Sequence, residues 1–239
     1  MFKERSYRRW VDSDDLVPFV VKEKETDLLI MARRNLEEQA RESILSNRGD
    51  LERYIRTHPD FYTSLEPIDV TNDAPKIVKA MAEAAKTAGV GPMAAVAGAF
   101  AEFVGRDLAV FTDEVIVENG GDIFLRTAKA RRVGVYAGEK SPFTGKIALE
   151  IGPAVDGIGV CTSSGTVSHS LSLGKADVSL IISKSTALAD AAATTMGNVV
   201  KGPADVERAL EIARSIEGVI GAMVLIGDKM GSWGEIKLI

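Results

Sequence analysis

Residues 117–123 read VENGGDI, and this stretch decides the local architecture around it. Runs rich in apolar and β-branched residues precede the turn, from residue 114, and follow it, from residue 123. The segment therefore predicts two strands joined by a tight turn. Gly120 and Gly121 permit the positive φ angles that two-residue hairpin turns require. Asn119 and Asp122 place an amide and a carboxylate on either side of the glycines. Taken alone, the stretch favours a plain hairpin turn over a ligand-binding turn.

Outward from this turn, strand patterns alternate with helix patterns. The predicted strands are a hairpin or meander within 7–32, then 114–117, 123–125, 132–136, 147–151, 157–161, 178–182, 219–226 and 235–239; the predicted helices are 36–57, 73–89, 92–104, 187–200 and 204–216. This order predicts an α+β fold of mixed or antiparallel sheets with flanking helices, as a single domain over residues 1–239. The helix at 92–104 is apolar nearly all round, so we expect it to be almost fully buried, with Phe100 in the core.

The composition is that of a globular protein, with 239 residues, 46% hydrophobic and 26% charged, and a formal net charge of −5. Because binding to nucleic-acid phosphates needs a basic surface, this balance argues against a nucleic-acid partner. Cys161 is the sole cysteine of the sequence, so no intramolecular disulfide can form, which fits a reducing compartment. The charged first ten residues do not resemble a signal peptide, and the apolar run at 93–104 is too short to span a bilayer. We therefore expect a cytoplasmic protein with no membrane partner.

A second candidate segment, residues 161–169, reads CTSSGTVSH. Its backbone N–H groups and hydroxyls could bind a phosphate, and His169 could bind a ligand or move a proton. A solvated loop with a structural histidine fits the segment equally well. Cys161 follows an apolar strand and has no evident partner base, so we expect a packed thiol rather than a nucleophile.

A third candidate segment, residues 189–194, reads ADAAAT and falls within a predicted helix. Asp190 and Thr194 are one turn apart on the side opposite the apolar stripe, so a carboxylate and a hydroxyl share one face. Such a pair can ligate a hard cation such as Mg²⁺. A solvated helix face is the other interpretation, but alanine padding is less typical of solvent-facing helices than lysine and glutamate.

Taken together and in order, these segments resemble the ApbE-like superfamily, whose best-known members are FAD:protein FMN transferases. The similarity covers residues 36–226. It depends on Gly120-Gly121-Asp122-Ile123, on Ser164-Gly165 with His169 shortly after, and on Ala189-Asp190 with Thr194. Within the superfamily, the sequence looks most similar to a branch common in archaea and some bacteria. The resemblance implies an ApbE-like, T-fold-like α+β architecture.

The resemblance also implies a site. Asp190 and Thr194 would bind Mg²⁺, and His169 and Asp190 would be the catalytic residues. The residues implied to line the FAD site are Asn119, Gly120, Gly121, Asp122, Ser163, Ser164, Gly165 and Thr166. The transferases cleave the FAD pyrophosphate and move FMN to a threonine of an acceptor protein, with the metal neutralising the phosphates.

The sequence departs from the transferase pattern in two places. The stretch 93–98 lacks the lysine and the acid of a Lys-Gly-x-x-x-Asp-like segment, and 170–175 lacks an acid and a proline that follow the histidine in the transferases. The expected function is therefore a Mg²⁺-dependent enzyme acting on a flavin-like or nucleotide-like diphosphate, with FMN transfer from FAD to a protein threonine as its specific form. The alternatives are a non-catalytic flavin- or nucleotide-binding protein, and an enzyme that uses the same cation site on another small metabolite.

Overall fold

The computed structural model describes residue 11 and residues 13–139, 141–165 and 174–239. The strands are β1 (Val17–Glu23), β2 (Thr26–Ala32), β3 (Val115–Asn119), β4 (Asp122–Thr127), β5 (Arg131–Gly134), β6 (Ala148–Ile151), β7 (Ala154–Ser163), β8 (Val178–Ser183), β9 (Val219–Ile226) and β10 (Lys229–Gly234). The α-helices are α1 (Glu37–Thr57), α2 (Asp60–Thr63), α3 (Lys76–Ala88), α4 (Val96–Leu108), α5 (Thr186–Val199) and α6 (Val206–Ser215).

Eight of these strands form one sheet in the order β1-β2-β3-β4-β7-β8-β9-β10, and β5 pairs with β6 in a second, small sheet. Every strand pairing in the described chain is antiparallel. The predicted α+β class with flanking helices is confirmed. Because each strand in the middle of the large sheet has a hydrogen-bonded neighbour on both sides, its end residues are held in a fixed register.

The two faces of the large sheet bury different partners, as the alternation of side chains along a strand requires. Phe124, Cys161 and Ile181 point to the face that the helices cover. Leu125, Val160 and Leu180 point to the opposite face and pack in a cluster that also contains β5 and β6 residues. Helices, large sheet and small sheet thus form three layers, with α4 and α5 lying directly over β3, β4 and β7.

The predicted helix at 92–104 begins with a 3₁₀ turn at Pro92–Ala95 and continues as α4 to Leu108. Phe100 is 4% exposed, so its predicted burial is confirmed. The expectation of nearly complete burial is too strong, because Met93, Val96 and Phe103 pack against the core from partly exposed positions. No helix in the described part is by itself long and apolar enough to cross a membrane. The segments Lys76–Ala88 and Pro92–Leu108 pass that test only as a pair, which is bent by 105°.

The predicted final strand at 235–239 is wrong. The chain instead makes a hairpin in which β10, at Lys229–Gly234, pairs with β9. Gly227, with φ 58°, and Asp228 form its two-residue turn, a Gly-Asp signal that the sequence reading missed. Beyond β10, a single bridge joins Leu238 to Leu149.

Candidate functional site

Helices α4 and α5 touch at Gly98. A Cβ atom at residue 98 would lie 2.3 Å from the Thr186 carbonyl oxygen and 2.7 Å from the Asp190 Cβ, so only glycine allows this approach. The Gly98 N–H donates a hydrogen bond of 2.8 Å to Asp190 Oδ2. Residue 98 is also the last position of the stretch 93–98, which corresponds to the Lys-Gly-x-x-x-Asp-like segment of the transferases, and so it stands where that segment has its acid. That position is closed to any side chain here.

The VENGGDI segment forms the predicted two-residue hairpin turn. Gly120 and Gly121 have φ angles of 68° and 107°, and Asn119 pairs with Asp122 across the turn. The Asn119 side-chain amide donates to the Ala97 carbonyl oxygen at 3.0 Å, which ties the turn to the start of α4. The plain-turn interpretation and the site interpretation are therefore compatible, because the turn holds Asn119 and Asp122 against the helix that contacts Asp190.

Asp122 lies at the start of β4 and is 6% exposed. Its Oδ1 accepts a hydrogen bond of 3.3 Å from the Thr162 N–H on β7. Burial raises the pKa of Asp122 well above its usual range, and the charge of Asp190 raises it further. Cys161 beside it is fully buried, as expected for a packed thiol, and burial followed by the Asp122 charge raises the pKa of the thiol. This arrangement leaves Cys161 as a thiol at neutral pH and does not activate it as a nucleophile.

Asp190 lies one turn into α5 and is partly exposed. Burial raises its pKa to about 7, while the backbone N–H groups of Gly98 and Ala97 act in the lowering direction. Among the described residues, no lysine or arginine pairs with either Asp122 or Asp190. The described part of the site therefore contains two neighbouring carboxyl groups without a lysine or arginine to balance their charge.

The described part of the hydroxyl-rich segment, residues 161–165, comes close to the last turn of α5 at Ser163. Ser163, at the end of β7, is 4% exposed and faces Gly197 of α5, while Ser164 is partly exposed and Gly165 is exposed. The Gly165 N–H donates to the Ala176 carbonyl at 3.0 Å. A Cβ atom at Gly174 would lie 1.8 Å from the Gly197 carbonyl oxygen, so the chain packs directly on the last turn of α5 where it returns. Thr166 and His169 lie outside the described residues.

The structure therefore brings Asn119, Asp122 and Asp190 together around the first turn of α4. Thr194 follows Asp190 by one turn of α5 and is partly buried. Three contributors act through backbone atoms: Thr162 lies in the second candidate segment, whereas Ala97 and Gly98 were missed from the sequence. The only sequence signal for two of them was the run of small residues at 94–98, which indicates close helix packing without saying what approaches.

The candidate metal site is incomplete in protein side chains. Within the described ranges, no three histidine, cysteine, aspartate or glutamate side chains are arranged to hold a metal ion. One carboxylate and one hydroxyl would leave most positions of an octahedral Mg²⁺ to water, backbone oxygens or a ligand phosphate, which is the usual mode of Mg²⁺ binding.

Comparison with known proteins agrees with this architecture. The sequence matches the family described as AbpE bacteria over residues 8–233. It is 45% identical to a UPF0280 protein of Methanococcus aeolicus over 202 residues, which are 82% of this chain and 81% of that protein. It is also 45% identical to a UPF0280 protein of Methanocaldococcus jannaschii over 219 residues, 89% of this chain and 88% of that protein. The resemblance inferred from the motifs is confirmed.

A solved structure has the same fold. The apo form of the flavinyl transferase ApbE of Pseudomonas stutzeri matches with a TM-score of 0.60, covering 92% of this chain and 94% of that one. The two sequences are 13% identical, and at that distance the similarity establishes the fold alone.

Proposed function

We propose, from the premise that the chain belongs to the AbpE bacteria family, that it is a Mg²⁺-dependent enzyme acting on a flavin- or nucleotide-like diphosphate. The specific reaction proposed is transfer of FMN from FAD to a threonine of an acceptor protein. The Pseudomonas stutzeri protein of the same fold is a flavinyl transferase, which supports this choice of reaction.

One observation carries the proposal: Asp122, which is buried, and Asp190, which is partly exposed, are neighbouring carboxyl groups with no lysine or arginine partner among the described residues. Desolvating a carboxylate without a counter-charge is unfavourable, so this arrangement lowers the stability of the fold. A bound divalent cation would offset this unfavourable free energy by supplying the missing positive charge. Unbalanced carboxylates in a partly open position therefore fit a cation site better than they fit a purely structural role.

The residues would divide the work as follows. Asp190 and Thr194 would hold the cation, and the diphosphate of the substrate would complete its coordination. When bound, Mg²⁺ would neutralise charge on the diphosphate and on the AMP leaving group. The Asn119–Asp122 turn and residues 163–166 would line the flavin site. In transfer, the threonine hydroxyl oxygen attacks the FMN phosphorus and the bond to AMP breaks. His169 would accept the hydroxyl proton.

A second function, non-catalytic binding of a flavin or nucleotide, is favoured by one specific observation. The start of α4 carries neither the lysine nor the acid of the transferase pattern, and the close contact at Gly98 leaves no room to replace the acid. A cation site that lacks these groups would bind a diphosphate and still fail to turn it over. The third candidate function is an enzyme that uses the same cation site to act on another small metabolite.

The deciding experiment is AMP release. Purified protein is incubated with FAD and MgCl₂, with and without a threonine-containing acceptor peptide, and AMP is measured by chromatography. An enzyme of the proposed kind releases AMP only with Mg²⁺ and loses this activity in Asp190→Ala, while Asp228→Ala on the exposed β9–β10 turn keeps it. FAD binding that needs Mg²⁺ but yields no AMP identifies a binding protein. Absence of both Mg²⁺-dependent binding and AMP release rejects the proposed function.

A further inference from the structure

Glu102 is a buried acid in the middle of α4, and it binds the start of α5. It is 9% exposed. Its Oε2 accepts hydrogen bonds from the Thr186 N–H at 2.7 Å and the Ala187 N–H at 3.3 Å. Its Oε1 is held by Arg106 Nε and Nη2, each at 2.9 Å. The first N–H groups of a helix have no partner inside that helix, and the helix dipole favours a negative charge there. Glu102 therefore caps α5 from a neighbouring helix.

The reverse contact also exists. Asp190 of α5 accepts a hydrogen bond from Gly98 in the first turn of α4. Each of the two helices thus has its N-terminal turn held by a carboxylate of the other. Glu102 is one turn after Gly98 on α4, and Asp190 is one turn after Thr186 on α5, so the two contacts are neighbours in a closed loop of interactions.

We propose that Glu102 is a positioning residue for the Asp190 site. It does not reach the cation or substrate itself. By fixing the first turn of α5, it sets where the Asp190 carboxylate lies relative to Gly98, Asp122 and the Thr194 hydroxyl. This inference rests on the proposed cation role of Asp190. It adds that the site depends on Glu102, an acid on α4 that is not itself one of the proposed cation ligands.

Two features make Glu102 more than a stabilising ion pair. The Arg106 side chain is 49% exposed, so its pairing with Glu102 Oε1 is partly screened by solvent. The α5 contact instead goes through Oε2 to buried backbone groups, where geometry is fixed by both helices. Residues that orient a ligand residue typically change metal affinity 10- to 100-fold when removed. Residues that only stabilise a fold change the unfolding midpoint and leave affinity intact.

The test compares Glu102→Ala with Glu102→Gln, which keeps an acceptor oxygen for Thr186. Ser43→Ala serves as the matched control. Ser43 Oγ donates to Asp107 Oδ2 at 2.6 Å on another face of α4, so its loss perturbs the same helix away from α5. Two quantities are measured on the full chain. The first is the amide chemical shift of Gly98 in ¹⁵N-glycine-labelled protein, and the second is the dissociation constant for FAD with MgCl₂ present in large excess over protein.

For Glu102→Ala we expect a changed Gly98 amide shift and FAD binding weakened by about 10- to 100-fold, with Glu102→Gln close to wild type and Ser43→Ala unchanged. An unchanged Gly98 shift and unchanged FAD affinity in folded Glu102→Ala would overturn the proposal. If wild type itself shows no Mg²⁺-dependent FAD binding, the proposed function fails, and the Gly98 shift alone decides whether Glu102 positions Asp190. If Glu102→Ala does not fold, the same two readouts on Glu102→Asp decide, since the shorter aspartate retains the charge but loses the reach, and Glu102→Gln is the control expected to match wild type.

Discussion

The Gly98 N–H and the Asp190 carboxylate are joined by a hydrogen bond of 2.8 Å, and this contact links the start of α4 to the first turns of α5. Asp190 is thus at once a cap for a neighbouring helix and the candidate cation ligand. Only one of its oxygens accepts this bond. A carboxylate can accept about four hydrogen bonds or metal bonds, so the two roles can coexist. Both roles favour the ionised carboxylate, whereas burial favours its protonated form, and that conflict can be measured.

Asp190→Asn is expected to make stability less dependent on pH. The pKa of Asp190 is raised from 3.8 to about 7, so the folded protein favours the protonated form. Its contribution to stability is then full below about pH 4 and declines as the pH rises toward 7. Asparagine cannot ionise and still offers an oxygen to Gly98. Urea unfolding at pH 5 and pH 8 should show wild type losing about 1–3 kcal/mol more than Asp190→Asn over this range. Equal losses in the two proteins would contradict the assignment.

Gly98→Ala is expected to destabilise the fold by about 1–3 kcal/mol, because the new methyl group would overlap the Thr186 carbonyl and the Asp190 side chain. Gly152→Ala is the control, since a Cβ atom there would meet nothing within 4 Å. Thermal unfolding of both variants measures the difference. The packing account of residue 98 is wrong if the two variants unfold at the same temperature.

Phe100→Ala is expected to cost about 3–5 kcal/mol, because the ring is 4% exposed and its removal leaves a cavity between helices and sheet. Phe111→Ala removes the same side chain from a loop position that is 47% exposed and should cost far less. Chemical denaturation of the pair tests whether α4 is anchored by this residue. A cost below about 1 kcal/mol for Phe100→Ala would mean that the helix is held elsewhere.

The sequence predicts the local parts of this fold well. The Gly120-Gly121 pair predicts the β3–β4 hairpin because few residues other than glycine adopt two successive positive φ angles. The antiparallel pairing around it follows from the short turns. The final hairpin was missed because Lys229–Gly234 lacks an apolar alternation, and its pairing with β9 comes from the Gly227-Asp228 turn.

The sequence predicted only some residues of the candidate site. Asp190 could be selected because alanine neighbours are unusual on a solvent-facing helix, and Asp122 because its turn matches a motif of the ApbE-like superfamily. Glu102 could not, since in the sequence it is an ordinary acid within a helix, and only the packing of α4 on α5 brings it to the Thr186 N–H. The contacts of Ala97 and Gly98 involve backbone atoms, which residue type does not reveal.

The most direct test of the central claim is a Mg²⁺ titration followed by calorimetric FAD binding, with ADP as a second ligand, for wild type, Asp190→Ala and Thr194→Val. Valine keeps the shape of threonine without its hydroxyl. The account predicts that Mg²⁺ strengthens nucleotide binding to wild type, that Asp190→Ala abolishes this enhancement and that Thr194→Val reduces it, with circular dichroism showing all three proteins folded. Nucleotide binding that is equally tight in wild type and Asp190→Ala, with no dependence on Mg²⁺, would contradict it.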